Sequence, residues 1–246
     1  MVSHQYFQIL HEILDAIEGT QGESIREAAK RLVDTVMNGK KVYFFGCTHA
    51  GILSQEAFYR TGGLAVINPI FPKGLQCDTV PITDTSALER KDGYGREIAL
   101  KTGLRQGDMI FIHSVSGRNA VPVELALEAG KLGAYVVAIT SLEYSRQSES
   151  RGSSGKRLFE ASDLTIDNCG CFGDAAVSLE GFPQKVSPTS TVTGAAIVNA
   201  IVAEATEMFL KLGQVPPVFI SANIDGGDRH NEVLMKQYKN QIDYMG

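Results

Sequence analysis

The chain has no excess of basic residues, no long apolar run and no nucleotide-binding signature. Its formal net charge is -5 over 246 residues. That argues against a nucleic-acid partner, for which a basic excess or stripe is the usual footprint. No uninterrupted apolar stretch reaches the roughly 18 residues of a membrane span. No basic-then-apolar leader opens the chain, so no membrane partner is expected and the cytoplasm is the expected location. Cysteine is scarce, with only Cys47, Cys77, Cys169 and Cys171. Without a secretion signal they are not expected to form a disulfide framework. Cys169-Gly170-Cys171 lacks the second pair that a structural zinc site needs, so ordinary thiols are expected. There is no G-x-x-x-x-G-K-[ST] sequence, and Thr48 stands where a G-x-G-x-x-G turn would need its middle glycine. ATP and NAD are therefore poor candidates, and neither a cofactor nor a metal is expected.

What is present is ordinary globular composition, 43% hydrophobic and 21% charged, enough for one large domain or two small ones. Tyr6, Leu10, Ile13, Leu14 and Ile17 recur at helical spacing. Ile25, Ala29, Leu32, Val33 and Val36 do the same. The intervening Gly19-Thr20-Gln21-Gly22 predicts a helical hairpin over 4–38. Val42–Phe45 is a continuously apolar strand of the buried parallel type. A helix over Ile52–Thr61 follows, capped by Gly62-Gly63, and then a strand at Ala65–Ile67.

Residues 70–92 read as loop with short elements. Beyond them lie a helix at Tyr94–Thr102, a strand at Met109–His113, a helix at Val121–Leu132 and a strand at Tyr135–Ile139. This alternation predicts a parallel sheet flanked by helices. Ser145–Lys156 reads as an exposed, mobile loop. Leu164–Ile166 and Ala176–Leu179 are further strand candidates. Thr189–Leu212 is an alanine-rich helix, expected to be buried at a subunit interface. Val218–Ile220 reads as a last short strand, and Asn231–Tyr244 as an amphipathic helix.

Two strand–loop–helix units carry the chemistry. Gly46 to Gly51 follows one strand, and Ser114-Val115-Ser116-Gly117-Arg118-Asn119 follows another. In open α/β sheets, ligands sit beyond the carboxyl ends of the strands. A helix N-terminus offers unpaired N–H groups and positive potential. Ser114 and Ser116 add hydroxyl donors, Gly117 permits close backbone approach and Arg118 can add charge. A phosphorylated small molecule is the expected ligand, although serines in such a loop also serve simply as turn and cap residues.

These stretches resemble the sugar isomerase (SIS) domain family of phosphosugar-binding proteins. The resemblance runs through Phe58-Tyr59-Arg60-Thr61-Gly62-Gly63, Ser114–Pro122, Ser154–Leu158, Pro188–Gly194 and Ser221–Asp228. It is nearest to single-domain bacterial members labelled either phosphoheptose isomerase or simply sugar isomerase domain-containing protein. It implies one α/β domain over 1–246, a three-layer αβα sandwich with a five-stranded parallel sheet. It also implies a sugar phosphate as small-molecule partner, in a site shared between subunits. A homodimer or homotetramer is expected. In the family the Ser-x-Ser-Gly-x-Thr loop holds the phosphate; Ser114, Ser116 and Gly117 match it, and Asn119 replaces the threonine. The first loop departs further. Relatives usually read Gly-x-Gly-x-Ser or Gly-x-Gly-His-Ser-His, whereas Gly46-Cys47-Thr48-His49-Ala50-Gly51 has lost the serine hydroxyl at Ala50 and a histidine at Gly51, with His49 retained.

Aldose–ketose isomerisation needs a base to move a proton between adjacent carbons and an acid to serve the oxygens. Glu56 is the carboxylate candidate, set against an ordinary solvated helix glutamate. His49 and His230 are the imidazole candidates, His230 set against a surface residue at a helix start. Asp225, Asp228 and His230 as a metal site is the weaker alternative. Thr48, Thr189 and Ser190 are candidates for sugar hydroxyls, the last two set against simple helix capping. The helix 189–212 has neither histidine nor glutamine, which argues against the machinery of authentic heptose isomerases. The expected activity is an aldose–ketose phosphosugar isomerase working through an enediol. The alternatives are a non-catalytic phosphosugar sensor, or a lyase that removes an ether or amino substituent.

Overall fold

A computed structural model describes residues 1–245. Helix α1 (Val2–Met37) leads into β1 (Val42–Gly46), α2 (Ile52–Ala57) and β2 (Ile67–Ile70). Then come α3 (Thr83–Glu89), α4 (Tyr94–Thr102), β3 (Met109–His113), α5 (Ala120–Lys131) and β4 (Tyr135–Thr140). The chain finishes with α6 (Leu142–Arg146), β5 (Leu164–Asp167), β6 (Ala175–Leu179), β7 (Phe182–Pro188), α7 (Ser190–Lys211) and α8 (Gly227–Gln237).

Five strands form one parallel sheet in the order β2-β1-β3-β4-β5. β1 and β3 are buried along their whole length, which is why both read as unbroken apolar runs. Alternate residues face two cores. Phe44 and Phe111 stack with centroids 5.4 Å apart on the side covered by α1 and α7. Phe45, Ile110 and Ile112 meet Leu125 and Ile98 of α5 and α4 on the other. The sheet thus lies between two helical layers, as the resemblance implied. α7 is long and apolar enough to cross a membrane by length and composition. Here Ile197, Val198, Ile201, Ala205 and Phe209 are instead buried in the first core.

The expected N-terminal hairpin is not there: residues 2–37 form a single helix. Glycine costs a helix interior only about 1 kcal/mol relative to alanine. Burying one isoleucine is worth about 1.5–3 kcal/mol, and both halves of α1 bury theirs, at Ile13, Ile17 and Ile25. Ile17 and Ile25 lie two 4-residue steps apart, so the apolar stripe keeps its phase through the glycines.

Helix α2 is shorter than expected, ending at Ala57 rather than Thr61. Phe58 is extended and Tyr59 adopts φ 44. The two rings turn out to meet Phe71, Phe219 and Tyr244, with Phe58 and Tyr244 at 4.9 Å. The strand expected near residue 65 begins instead at Ile67, and Val218 makes only an isolated bridge to Leu64. The closing helix runs over 227–237, earlier than its expected span. Phe182–Pro188, not anticipated as a strand, pairs antiparallel with β6 about the turn at Gly181.

Candidate functional site

The strand order reverses between β1 and β3, so the loops that follow them part and leave a crevice at the carboxyl end of the sheet. Gly46 and His113 are register partners at that end. The β3 loop is held from behind. Val115 O accepts from Ser141 N and from Thr140 Oγ1, each at 3.0 Å. Gly117 O accepts from Leu158 N at 2.7 Å, and Arg118 O from Arg151 N at 2.8 Å. Peptides are planar and trans, so the next N–H groups, of Ser116, Arg118 and Asn119, point the opposite way. None of the three donates to another group among the described residues. Asn119 then opens α5 with no side-chain cap, and Gly117 has φ 58. Backbone N–H groups arranged about a left-handed residue at a helix start form an anion-binding concavity.

Gly117 is also sterically required. A Cβ there would lie 2.9 Å from Ser145 Oγ and 3.2 Å from both Leu158 Cβ and Thr140 Oγ1. The segment expected to be an exposed, mobile loop is therefore the backing of the phosphate-type loop. Ser145 and Ser148 are buried, and Arg157 pairs with Glu160 at 2.7 Å beside Leu158. Most of the segment is exposed, as its serine-rich composition suggested; the bonds from Arg151 and Leu158 nevertheless tie it to the β3 loop.

Positive charge gathers around this loop. Arg118 Nε donates to Glu149 O at 2.9 Å, and an Arg151 guanidinium nitrogen lies 3.3 Å from Asn119 Oδ1. Burial, then repulsion from Arg118 and Arg90, lower the proton affinity of Arg151. The charge of Glu89, at the end of α3, opposes that repulsion. Burial raises its pKa, while the Asn119 side chain, Arg90 and Arg151 oppose that shift. Glu89 was not singled out from sequence. It lies in the poorly patterned segment 70–92, and only its spacing from the β3 loop in three dimensions marks it.

The first loop folds back on itself as a 3-10 turn over Thr48–Gly51. A Cβ on Gly46 would sit 2.4 Å from Ala50 O, so only glycine fits. Thr48 takes φ 51, a left-handed conformation that glycine adopts more readily, and its N–H donates to Leu75 O at 2.7 Å. His49 is exposed at this turn. His113 Nδ1 lies 3.1 Å from Ala50 O. Burial pushes the His113 pKa down to about 4, against the Ala50 bond and the charge of Asp174. A carbonyl only accepts, so the neutral ring carries its proton on Nδ1. Nε2 is buried without a partner.

The remaining candidates are spread out. Glu56 faces α7, paired with Arg60 and accepting from Asn199 Nδ2 at 3.1 Å. Thr189 is buried with its Oγ1 unpartnered. Ser190 Oγ donates to Asp174 at 2.7 Å, where Asp174 also accepts from the Ser190 N–H and so caps α7. Exposed His230, in the first turn of α8, lies 3.3 Å from Val218 O, beside the bridge to Leu64 and away from the β3 loop. Asp225, Asp228 and His230 form no cluster able to hold a metal ion, nor does any other such set among the described residues.

The description "SIS domain" matches residues 5–141, more than half of the sequence. The chain belongs to the SIS domain family. An UPF0309 protein of Oceanobacillus iheyensis is 48% identical over 98% of both chains. One from Shouchella clausii is 47% identical over 98% of both. Among solved structures, a phosphoheptose isomerase of Neisseria gonorrhoeae superposes with TM-score 0.56 at 15% identity, over 83% of this chain and 97% of that one. The NanR protein of Vibrio vulnificus, complexed with ManNAc-6P, gives 0.52 at 16% identity, over 96% and 70%. At these identities the two structures establish a shared fold. In this SIS domain, the β3 loop and the first loop flank the switch point of the sheet.

Proposed function

We propose that this SIS-domain protein binds a sugar phosphate at Ser114–Asn119 and interconverts its aldose and ketose forms through an enediol. One observation carries the reading. The N–H groups of Ser116, Arg118 and Asn119 are unused at the start of α5, with the Ser114 and Ser116 hydroxyls alongside and three arginines nearby. Free N–H donors, a positive helix end and guanidinium groups together match a phosphate dianion. Relatives in fold include a phosphoheptose isomerase and a protein complexed with ManNAc-6P, which supports the same ligand class here.

Thr48 and His49, on the opposite wall of the crevice, hold the sugar oxygens in this proposal. Buried Thr189 offers an unsatisfied hydroxyl, whereas the Ser190 hydroxyl is engaged by Asp174. Glu56 and His230 stay as acid–base candidates that a second subunit would have to bring to the sugar. The groove of about 680 Å³ between α1 and α7, lined by Leu14, Ile17, Ala196 and Ala200, supports a homodimer or homotetramer. The proposal includes a cytoplasmic setting and neither nucleic acid nor membrane as partner.

The test is thermal stabilisation by a set of sugar phosphates compared with the same free sugars, followed by NMR detection of aldose–ketose interconversion. Stabilisation only by the phosphorylated sugars, with turnover of at least one, is expected. Equal stabilisation by the free sugars would refute the phosphate site. Stabilisation without turnover would favour a sensor, a reading supported by Ala50 and Gly51 in the first loop, which carry no functional side chain.

A further inference from the structure

We propose that a cavity at the amino end of the sheet, opposite the crevice, binds a small multivalent anion of the phosphate-ester or polycarboxylate class. This site is independent of whatever the β3 loop holds.

The cavity has a volume of about 510 Å³, within the range of small-molecule sites. Its walls come from the turn before β1, from β2, from the end of α4 with the turn into β3, and from the chain after α8. Four cations line it, Lys40, Lys41, Lys101 and Arg105, against two carboxylates, Asp108 and Asp243. The whole chain carries a net charge of -5, so the positive excess is local. A concave wall of one sign concentrates the field on whatever enters it.

The acceptors of the cavity are already engaged. Asp108 is buried, and its two oxygens accept from the N–H groups of Lys41 and Arg105, each at 2.9 Å. Asp243 accepts from Lys41 Nζ and, at 2.9 Å, from the Tyr43 hydroxyl. Asn68 donates to Val42 O and Gln241 O and accepts from the Asp243 N–H. Among the described residues, Lys40 and Arg105 have no carboxylate partner. Lys40 is nonetheless positioned, because a Cβ on Gly107 would lie 3.2 Å from its Cε. Lys101 pairs only with Glu97, four residues back on α4, with both side chains largely in water; such pairs hold weakly. What the cavity has left to offer is donors and positive charge, and the complement of that is an acceptor-rich anion. The guanidinium fork of Arg105 suits a phosphate or a carboxylate, which it can take through two parallel bonds.

The chain itself already places one anion here. The segment after α8 is strapped to the amino end of the sheet: Gln241 Nε2 donates to Val36 O at 2.9 Å and to Lys40 O at 2.8 Å, and the Tyr244 hydroxyl donates to Ala65 O at 2.5 Å. That strap carries the Asp243 carboxylate to Lys41 and Tyr43. One cation is thus met from within, and Lys40, Lys101 and Arg105 are left for a ligand.

The experiment is calorimetric titration with pyrophosphate and with citrate at constant ionic strength, with sodium chloride as control. Saturable binding of at least one is expected, and the tighter of the two identifies the ligand class. The double variant Lys40→Ala/Arg105→Ala alters two exposed side chains. It should keep the wild-type Tm and raise the Kd at least about tenfold. Ser116→Ala, in the β3 loop, should leave this Kd within about twofold of wild type. Asp243→Asn removes a competing charge and keeps the N–H bond to Asn68. It should lower the Kd at least about threefold, a gain that a folding defect cannot mimic. Heats no larger than those of chloride would overturn the proposal. So would a Kd unmoved by the double variant but raised by Ser116→Ala, which would put the anion at the β3 loop. Weaker binding by Asp243→Asn would overturn it as well.

Discussion

His113 Nδ1 lies 3.1 Å from the carbonyl oxygen of Ala50, joining the end of β3 to the loop that follows β1. The bond crosses the switch point and fixes one wall of the crevice against the other. Its imidazole is buried neutral, with a pKa pushed down from 6.5 to about 4. The unfolded chain therefore binds this proton first as the pH falls. The stabilisation is complete above pH 6.5 and is lost progressively toward about pH 4. Linkage at about 1.4 kcal/mol per pH unit puts the loss at roughly 3 kcal/mol. Urea unfolding across that window checks it, and His113→Asn should flatten this part of the curve.

Gly117→Ala should damage both stability and binding. Its φ of 58 and the approach of Ser145 Oγ to 2.9 Å leave no room for a Cβ. A non-glycine residue in this region costs about 1–3 kcal/mol. A lower Tm together with a weaker sugar-phosphate Kd is the expected pair of results; an unchanged Kd would separate the loop from the ligand.

Ser116→Ala leaves the fold alone, because no hydrogen bond within the described chain depends on that hydroxyl. A bond to a charged phosphate is worth about 1.5–3 kcal/mol, or roughly a ten- to hundredfold rise in Kd. Arg151→Ala should weaken binding in a salt-dependent way, since Arg151 is exposed beside the loop and salt screens exposed charges. Calorimetric titration at two salt concentrations distinguishes the two variants.

Gly19→Ala and Gly22→Ala should each stabilise the protein. Both sites lie inside α1 with nothing within 4 Å of a new Cβ. Replacing helix-interior glycine by alanine gains about 0.5–1 kcal/mol. A rise in Tm for each variant is expected, whereas a turn at these positions would make the substitutions destabilising.

The sequence on its own determined the alternation of β1, α2, β3, α5 and β4, because fully buried parallel strands leave continuous apolar runs. It also determined the Ser114–Asn119 loop, whose serines and glycine are local requirements of a strand-to-helix turn that accepts an anion. Decisions that depend on distant partners were made only by the tertiary structure. α1 stays whole because α7 and the sheet bury both its halves. Phe58 and Tyr59 leave α2 to meet Phe219 and Tyr244. Residues 145–158 back the β3 loop because Arg151 and Leu158 donate to its carbonyls. Glu89, one glutamate among many in the sequence, gains its raised pKa from burial beside Asn119 and Arg151. Local chemistry is written in neighbouring residues, while burial and charge coupling belong to pairs that only folding brings together.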